Sequence, residues 1–284
     1  MIVHQSFDVN FTYDVAYTRS LFDIENQTLT RLLGKSRANT MIFIDDKVAQ
    51  SFPHLIKNAQ EWAAAHPDTM TMAAPVEIVP GGEDIKKGWP IITDMAQRMM
   101  ERGLCRHSYV MIIGGGAVLD AVGFAAAIFH RGVRQIRVPT TLLAMDDSGV
   151  GVKNGINHNG AKNLFGCFYP PDAVVLDYQF LRTLEERDIF AGVAEAMKVA
   201  LIKDKKLYAY IKDHAEAIRN FHWPVLEHLA AESSRLHLEH VGGSDPFEKG
   251  SSRPLDFGHW SAHKLESMTD NEIRHGEAVA VGMA

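Results

Sequence analysis

The feature that most constrains the fold is a long apolar stretch, residues 110–129, with the sequence VMIIGGGAVLDAVGFAAAIF. It is about as long as a membrane span. However, Asp120 lies near its middle, and a buried carboxylate without a partner is costly in lipid. Three consecutive glycines, Gly114 to Gly116, also break the helix. We therefore predict a buried strand, a tight turn and a buried helix, and no membrane span.

Short apolar runs alternate with helical periods through the first half of the chain. MIFIDD (41–46), VEIVPGG (76–82) and IRVPTTLLA (136–144) favour strands, and ITDMAQRMMERGL (92–104) has apolar residues at helical spacing. Such alternation predicts a parallel sheet with helices on both faces. From Leu181 onward amphipathic helices dominate. The expected domains are an α/β domain over residues 1–170 and a helical domain over residues 171–284.

Composition narrows the class of protein. A net charge of −6 argues against a general nucleic-acid binder. The two cysteines, Cys105 and Cys167, form no disulfide framework and fit a reducing cytoplasm. The N-terminus lacks a signal-peptide pattern. The final residues, HGEAVAVGMA, begin as a helix and end on small apolar residues, which predicts that the natural chain continues.

Two segments could bind phosphate. Three glycines between a strand and a helix allow a pyrophosphate to approach the free N–H groups of the helix, although the spacing is not G-x-G-x-x-G and a plain tight turn is the alternative. The segment DDSGVGVKNGINHNGAKN (146–163) reads as a polar loop, either solvated or functional. In the functional interpretation Lys153 and Lys162 neutralise a phosphate, and Asn157 and Asn163 hold hydroxyls.

Histidines near the end of the chain could bind a metal. His259 and His263 stand four residues apart and can share a helix face, and His275 is a third candidate. A carboxylate ligand could come from Glu195 or Asp256. With 14 histidines in the chain, two surface histidines at this spacing by coincidence is the alternative.

Together these motifs resemble the dehydroquinate synthase-like sugar phosphate cyclases. The matching segments, in the order of that family, are PGGEDIKK, GGGAVLD, FHRGVRQIRVPTTLLA, DSGVGVKNGIN, AKNLFGCFYPP, GVAEAMK, DFGHWSAHKLE and RHGEAVAVGM. The resemblance implies a Rossmann-like NAD-binding α/β domain and an all-α metal-binding domain with a cleft between them. It also implies Zn²⁺ or Co²⁺ as the metal and a homodimer.

The resemblance assigns roles to individual residues. It makes Glu195, His259 and His275 the metal ligands, and it moves His263 to the substrate side. Arg131 corresponds to an arginine that reaches the phosphate site of the neighbouring subunit. The other implied active-site positions are Asp147, Lys153, Lys162, Asn163, Lys198 and Asp256. The implied cofactor contacts are Asp45, Glu83, Lys86, Gly115, Gly116, Asp120, Thr140, Thr141, Lys162 and Thr183.

The implied reaction borrows a hydride and returns it. NAD⁺ oxidises a secondary hydroxyl held on the metal, which acidifies the neighbouring C–H, and phosphate then leaves by elimination. The same hydride returns, and the freed enol closes onto the ring carbonyl. The cofactor ends unchanged, so the implied enzyme is a phosphate-eliminating lyase, with metal and lysines stabilising negative charge.

Departures from the family motif bear on the substrate. Dehydroquinate synthases hold a substrate carboxylate with a lysine and an arginine. Here the lysine position falls at His237 or Leu238, the arginine position falls at Ser252 beside Arg253, and the asparagine of NFGH is Asp256. An anionic group would be poorly held there, which favours a C7 sugar phosphate with a neutral hydroxymethyl group, sedoheptulose 7-phosphate.

Three alternatives to this substrate remain open on the sequence. The first is a 3-dehydroquinate synthase with a rearranged carboxylate clamp, acting on 3-deoxy-D-arabino-heptulosonate 7-phosphate. The second is a NAD-dependent polyol dehydrogenase, which would accumulate NADH. The third is a catalytically dead relative, which the three intact ligand positions disfavour.

Overall fold

The computed structural model of the chain describes residues 1–243, 245–247, 249–250, 254–269 and 272–284. The strands in these ranges are β1 (Asp14–Thr18), β2 (Ala38–Asp45), β3 (Met70–Met72), β4 (Glu77–Val79), β5 (Tyr109–Gly114), β6 (Arg134–Pro139), β7 (Lys153–His158), β8 (Ala161–Phe168) and β9 (Ala173–Asp177).

The helices in the same ranges divide into two sets. Those of the first half are α1 (Thr28–Leu33), α2 (Asp46–Ser51), α3 (Leu55–Ala65), α4 (Trp89–Glu101), α5 (Gly116–Ile128) and α6 (Leu142–Asp146). Those of the second half are α7 (Glu186–Lys203), α8 (Lys205–Asp213), α9 (Ala215–Arg219), α10 (Trp223–Val241), α11 (His259–Met268) and α12 (His275–Met283). Short 3₁₀ turns cover Gly82–Lys86, Phe129–Arg131, Tyr178–Thr183 and Pro254–Asp256.

A parallel sheet organises the first half, as the alternating pattern predicts. Its order is β1-β9-β6-β5-β2-β3, with β4 also paired to β2. Every residue of β5 is buried, because alternate side chains pack into cores on opposite faces: Val110 and Ile112 on one, Met111 and Ile113 on the other. Continuous burial on both faces explains why this strand is apolar throughout.

The boundary predicted at residue 170 is too early. The strand β9 lies between β1 and β6 in the sheet, so the α/β part includes residues 173–177. The helical part begins with α7, after the turn Tyr178–Thr183. Val174 and Leu176 of β9 share one apolar core with α7 and α10, so the helical part packs directly on this side of the sheet.

The polar loop predicted over residues 146–163 is also not a loop. Most of it forms an antiparallel hairpin, β7–β8, which pairs Lys153 with Phe168 and His158 with Ala161. The register slips between Ile156 and His158, near the hairpin tip. The segment lacks a strong strand pattern because β8 is largely exposed, so alternation of apolar and polar residues is weak there.

Among the residues described, none of the helices is both long and apolar enough to cross a bilayer. The helix α5, which follows the glycine turn, instead lies buried inside the α/β part.

Candidate active site

The expected cofactor residues gather where the parallel strands end. Asp45 ends β2, Gly114 ends β5, and Thr140 follows β6. The strands after β2 lie on both of its sides, so the chain order switches between β2 and β5. In open parallel sheets, ligands bind outside the carboxyl ends of the strands at such a switch point.

The glycine turn opens a concave backbone surface at this edge. A Cβ atom on Gly116 would lie 2.6 Å from the Ser148 hydroxyl, so any larger residue would displace it. Gly115 is the N-cap of α5 and supplies no side-chain cap, which leaves the first N–H groups of the helix for another acceptor. Thr141 caps α6 by accepting a hydrogen bond from the Ala144 amide at 3.1 Å. The turn interpretation and the phosphate interpretation are therefore both compatible with this geometry.

The hairpin β7–β8 covers the same edge and is tied to it by polar contacts. Lys86 donates hydrogen bonds to Asp120 at 2.7 Å and to Asn163 at 2.5 Å. Asn157 donates to Glu83 at 3.0 Å. Burial alone would lower the pKa of Lys86, but the carboxylates of Asp120 and Glu83 outweigh it and raise that pKa. Three of the predicted cofactor residues, Glu83, Lys86 and Asp120, are thus tied to the hairpin through Asn157 and Asn163.

Arg137 holds the chain that leads into this hairpin. Its guanidinium is fully buried and donates to the carbonyls of Ser148, Gly151 and Lys153 and to the side chains of Gln135 and Asn154. All of these acceptors are neutral. The connection after Asp147 is therefore fixed by backbone contacts, which the sequence analysis did not predict.

The three predicted metal ligands come together from three helices. Glu195 of α7, His259 of α11 and His275 of α12 have potential ligand atoms that all lie within 4.8 Å of one another. Glu195 is fully buried, and its Oε2 has no hydrogen-bond partner among the described residues. Burial lowers the pKa of His259 to about 4, so its ring is neutral at physiological pH. One carboxylate and two imidazoles form a donor set that suits zinc.

A buried lysine and a second carboxylate lie beside this group. Lys198 donates to the other oxygen of Glu195 and is 2% exposed. Burial raises the pKa of Glu195, with the charge of Asp147 adding to the effect and Lys198 opposing it. Burial also works against Asp147, but His237, Lys198 and Lys153 outweigh it and lower the pKa of that carboxyl.

His237 of α10 lies next to Asp147. Its Nδ1 lies 3.3 Å from Oδ1 of Asp147, and the residue is 8% exposed. Burial lowers the pKa of His237, so we take the ring as neutral at neutral pH.

His263 lies beside the metal group without belonging to the triad of Glu195, His259 and His275. Its ring centroid is 5.6 Å from that of His259 and 5.9 Å from that of His275. It belongs instead to a second cluster with Glu266 and His275. Glu266, one of the functional candidates that sequence reasoning missed, accepts from Lys162 at 2.7 Å and from His275 at 3.2 Å. The sequence does contain a signal for Glu266, because residues 259, 263 and 266 have the i, i+4, i+7 spacing that places side chains on one face of a helix.

Other predicted residues lie at different distances from this centre. Asp256 is exposed in the turn before α11, where its charge acts on His263. Thr183 follows β9, and its hydroxyl makes a 3.4 Å contact with the Phe180 carbonyl. Arg131 lines a surface cavity with Cys105 and His107 at the amino ends of β5 and β6, the opposite edge of the sheet. Ser252 and Arg253 lie outside the described residues.

Comparison with known proteins agrees with the sequence resemblance. The family described as 3-dehydroquinate synthase N-terminal matches residues 76–191, and the family described as 3-dehydroquinate synthase C-terminal matches residues 192–284. This chain belongs to the 3-dehydroquinate synthase family.

Relatives within the family carry two names. A 3-dehydroquinate synthase from Solibacter usitatus is 38% identical over 86% of this chain and 69% of its own length. A 2-epi-valiolone synthase from Actinosynnema mirum is 41% identical over 65% of this chain and 48% of its own length. The chain therefore spans about half to two thirds of the length of these relatives.

A solved structure supports the fold. The 2-epi-5-epi-valiolone synthase from Streptomyces hygroscopicus subsp. jinggangensis, with NAD⁺ and Zn²⁺ bound, matches 99% of this chain and 75% of its own with a TM-score of 0.88 and 28% identity. The predicted combination of a parallel-sheet α/β part and a helical part is confirmed. The expected NAD and metal agree with the ligands of that structure.

Proposed function

We propose that this protein is a NAD- and metal-dependent sugar phosphate cyclase that converts sedoheptulose 7-phosphate to a C7 cyclitol ketone and releases phosphate. The observation that carries the substrate choice is the contact between His237 and Asp147, where a neutral ring replaces a cation. The class of reaction is supported by family membership and by the relatives named above.

The donor set fits a metal ion. Glu195 has a buried oxygen without a partner, and His259 and His275 complete a carboxylate–imidazole group within 4.8 Å. An uncompensated buried carboxylate oxygen is costly, and a cation would offset that cost. When bound, the metal supplies Lewis acidity toward a substrate hydroxyl and NAD⁺ supplies a hydride acceptor that returns its hydride.

The glycine turn and its neighbours fit a dinucleotide. Gly115 and Gly116 offer backbone N–H groups at the start of α5, where a pyrophosphate is stabilised by the helix dipole. The residues that would hold the remainder of the cofactor are Asp45, Glu83, Lys86, Asp120, Thr140, Thr141, Lys162 and Thr183.

The lysines of the site stabilise negative charge on the substrate. Lys198, buried between Glu195 and Asp147, is a fixed ammonium that favours a developing enolate oxygen. Lys153 and Lys162 of the hairpin, with Asn163, would bind the phosphate. His263 has a pKa lowered by burial, so at neutral pH its ring is free to accept a proton.

The local charges favour a neutral group at the end of the substrate away from the phosphate. A substrate carboxylate near His237 would approach Asp147, whose pKa is lowered, and like charges at close range repel. Asp256 is a further carboxylate of the proposed site, and its charge acts on His263. A hydroxymethyl group instead finds acceptors for its hydroxyl. Sequence identity does not discriminate, because relatives of both names match at 38% and 41%.

The same proposal predicts a role for Arg131 and an oligomeric state. Arg131 lies at the sheet edge opposite the cofactor residues, so it cannot serve the site of its own chain. We expect a homodimer in which it reaches the phosphate site of the second copy. We also expect a cytoplasmic enzyme without nucleic-acid or membrane partners.

The test is phosphate release from two substrates. Protein loaded with NAD⁺ and Zn²⁺ or Co²⁺ is incubated with sedoheptulose 7-phosphate or with 3-deoxy-D-arabino-heptulosonate 7-phosphate. We expect stoichiometric phosphate from the first, without net NADH, and none with Glu195→Gln. Phosphate release from 3-deoxy-D-arabino-heptulosonate 7-phosphate alone would instead identify a 3-dehydroquinate synthase. Net formation of NADH would identify a dehydrogenase.

A pair of variants sharpens the substrate assignment. His237→Lys supplies the missing cation, and Asp256→Asn removes a carboxylate. We expect the double variant to lose at least tenfold in kcat/KM for sedoheptulose 7-phosphate and to gain binding of 3-deoxy-D-arabino-heptulosonate 7-phosphate. Glu239→Gln, on an exposed part of the same helix as His237, serves as the matched control.

A further inference from the structure

The carboxylate of Glu266 is more deeply buried than the histidines of its own helix. It is 2% exposed, whereas His259 is half-buried and His263 is exposed. A charged group this deeply buried requires partners for both oxygens. Glu266 has them: Oε1 accepts from Lys162 and Oε2 accepts from His275.

These two partners come from distant parts of the chain. Lys162 lies in the hairpin β7–β8, 104 residues before Glu266, and His275 begins α12, nine residues after it. Asn163, next to Lys162, accepts from Lys86, one of the predicted cofactor residues. One carboxylate therefore joins the hairpin to the helices that carry the metal ligands.

The contact with His275 determines which ring nitrogen is free. A carboxylate only accepts hydrogen bonds, so the proton of a neutral His275 ring lies on Nδ1, the atom 3.2 Å from Oε2. The lone pair is then on Nε2, the other ring nitrogen. A carboxylate behind a metal-binding histidine orients the ring and raises its basicity.

We propose that Glu266 is a positioning residue that couples the metal ligand His275 to Lys162 of the hairpin. The inference rests on the metal site of the proposed function. It adds that a change in the hairpin lysine reaches the metal through Glu266, although Lys162 is absent from the ligand group. The charges of this ion pair are little screened by solvent, because Glu266 is buried and Lys162 is only 24% exposed at its side chain.

The decisive variant is Glu266→Gln. Lys162 and His275 face different oxygens of Glu266, and an amide replaces one of these oxygens with an NH₂ donor, so one of the two partners would then face a donor. We expect the Kd for Co²⁺, measured by its visible absorption in metal-free protein without NAD or substrate, to rise about 10- to 100-fold. Lys162→Met should raise the same Kd about three- to tenfold, because Glu266 then loses the contact that holds its carboxylate against His275 and orients the ring.

Coupling predicts that the two changes are not additive. The double variant Lys162→Met/Glu266→Gln should bind Co²⁺ no more weakly than Glu266→Gln alone, within about twofold. The matched controls are Glu239→Gln and Lys212→Met, both exposed on other helices, and neither should change the Kd. Thermal unfolding of each metal-free variant reports whether it folds, and Glu266→Asp serves if Glu266→Gln does not.

The outcomes distinguish failure of the coupling from failure of the proposed function. Equal Kd values for the wild type and a folded Glu266 variant, or an unchanged Kd in Lys162→Met, would overturn the coupling and leave the cyclase proposal standing. Additive effects would overturn it as well. A wild-type protein that binds no Co²⁺ would overturn both. Normal coupling with no phosphate release would reject only the cyclase.

Discussion

Asp146, the last residue of α6, is a buried carboxyl whose two oxygens have no hydrogen-bond partner in the part of the chain that is described. Burial raises its pKa well above 3.8, and the charges of Glu195 and Asp147 add to this shift. The folded protein therefore binds a proton more tightly at Asp146 than the unfolded chain does. The carboxyl therefore destabilises the fold, and this destabilisation grows as the pH rises above the pKa that Asp146 has in the unfolded chain.

We predict that Asp146→Asn stabilises the protein at neutral and alkaline pH. Below about pH 4 the carboxyl is protonated in both states, so the variant and the wild type should then differ little. Above that pH the advantage of the variant should grow by up to about 1.4 kcal/mol per pH unit until the folded pKa is reached. Urea unfolding from pH 4 to pH 8 measures it.

The control for this measurement is Asp213→Asn, at an exposed position at the end of α8. It reports how replacing an aspartate by asparagine changes the free energy of unfolding at an exposed position. An Asp146→Asn variant whose stability relative to the wild type is independent of pH, or falls as the pH rises, would contradict the prediction.

The role of each histidine shows what a single residue's spacing reveals. His259 and His263 share a helix face, as their spacing predicts, and their rings lie 5.6 Å apart. Spacing alone cannot divide them between metal and substrate, because both positions are equivalent on an isolated helix. Glu195, on a helix 64 residues earlier in the chain, forms one candidate ligand group with His259 and His275, whereas His263 forms a second with Glu266 and His275.

At the scale of elements, the packing of α12 on α7 positions the metal group. Gly276, immediately after His275, is buried against the backbone of Ala191. A Cβ atom added at Gly276 would lie 2.5 Å from the Cα of Ala191 and closer still to its carbonyl oxygen. Because the contact is with backbone, no side-chain rotation can relieve it.

We predict that Gly276→Ala pushes α12 away from α7. Overpacking of this kind costs about 1–3 kcal/mol, so the free energy of unfolding should fall by that amount. The same displacement moves His275 relative to Glu195, and the affinity for Co²⁺ should fall at least tenfold. Urea unfolding and Co²⁺ titration test the two effects.

Ala280→Ser, which adds one atom on the exposed side of the same helix, is the matched control. It should leave the Co²⁺ affinity within twofold. If Gly276→Ala kept both stability and affinity, α12 would not depend on this close approach.

The hairpin β7–β8 shows how element prediction fails. The sequence predicted a polar loop, either solvated or functional, and two of its residues, Asn157 and Asn163, contact Glu83 and Lys86. Its regular pairing was missed, because the exposed residues of β8 leave no alternating pattern. The strand β8 is held by its pairing with β7 and by the contacts of the hairpin with Glu83 and Lys86. The contacts with Glu83 and Lys86 are tertiary and leave no local pattern in the sequence.

At the scale of the whole molecule, the last two helices depend on few apolar contacts. Ala262, Ala278 and Val279 form a small core separate from the larger one shared by β9, α7 and α10. Polar contacts supply much of the remaining attachment, including Arg274 to Asp188 and Lys162 to Glu266. A metal held by Glu195, His259 and His275 would bridge α7, α11 and α12.

We predict that Co²⁺ or Zn²⁺ stabilises this end of the molecule selectively. At 100 times the Kd, binding contributes about 2.7 kcal/mol to the free energy of unfolding. For a protein of this size that corresponds to a rise in Tm of roughly 4–5 °C. Amide hydrogen exchange should slow most in α11 and α12, and least in β2 and β5.

The control is Glu195→Gln, which should show no rise in Tm with either ion. Uniform slowing of exchange across the sheet, or a rise in Tm that survives Glu195→Gln, would show that the ion binds elsewhere.

The sequence by itself predicted several elements of the α/β part, among them β2, β5, α5 and β6, and it excluded a membrane span in the glycine-containing stretch. These follow from hydrophobic period and from glycine positions, which are local properties of the chain. Tertiary structure decided the pairing of Lys162 with Glu266, the contact of His237 with Asp147, and the inclusion of β9 in the sheet. These contacts join residues that are far apart in the chain, such as Lys162 with Glu266 and Asp14 with Ala173. Only the packing of whole elements brings such residues together, and no local pattern encodes it.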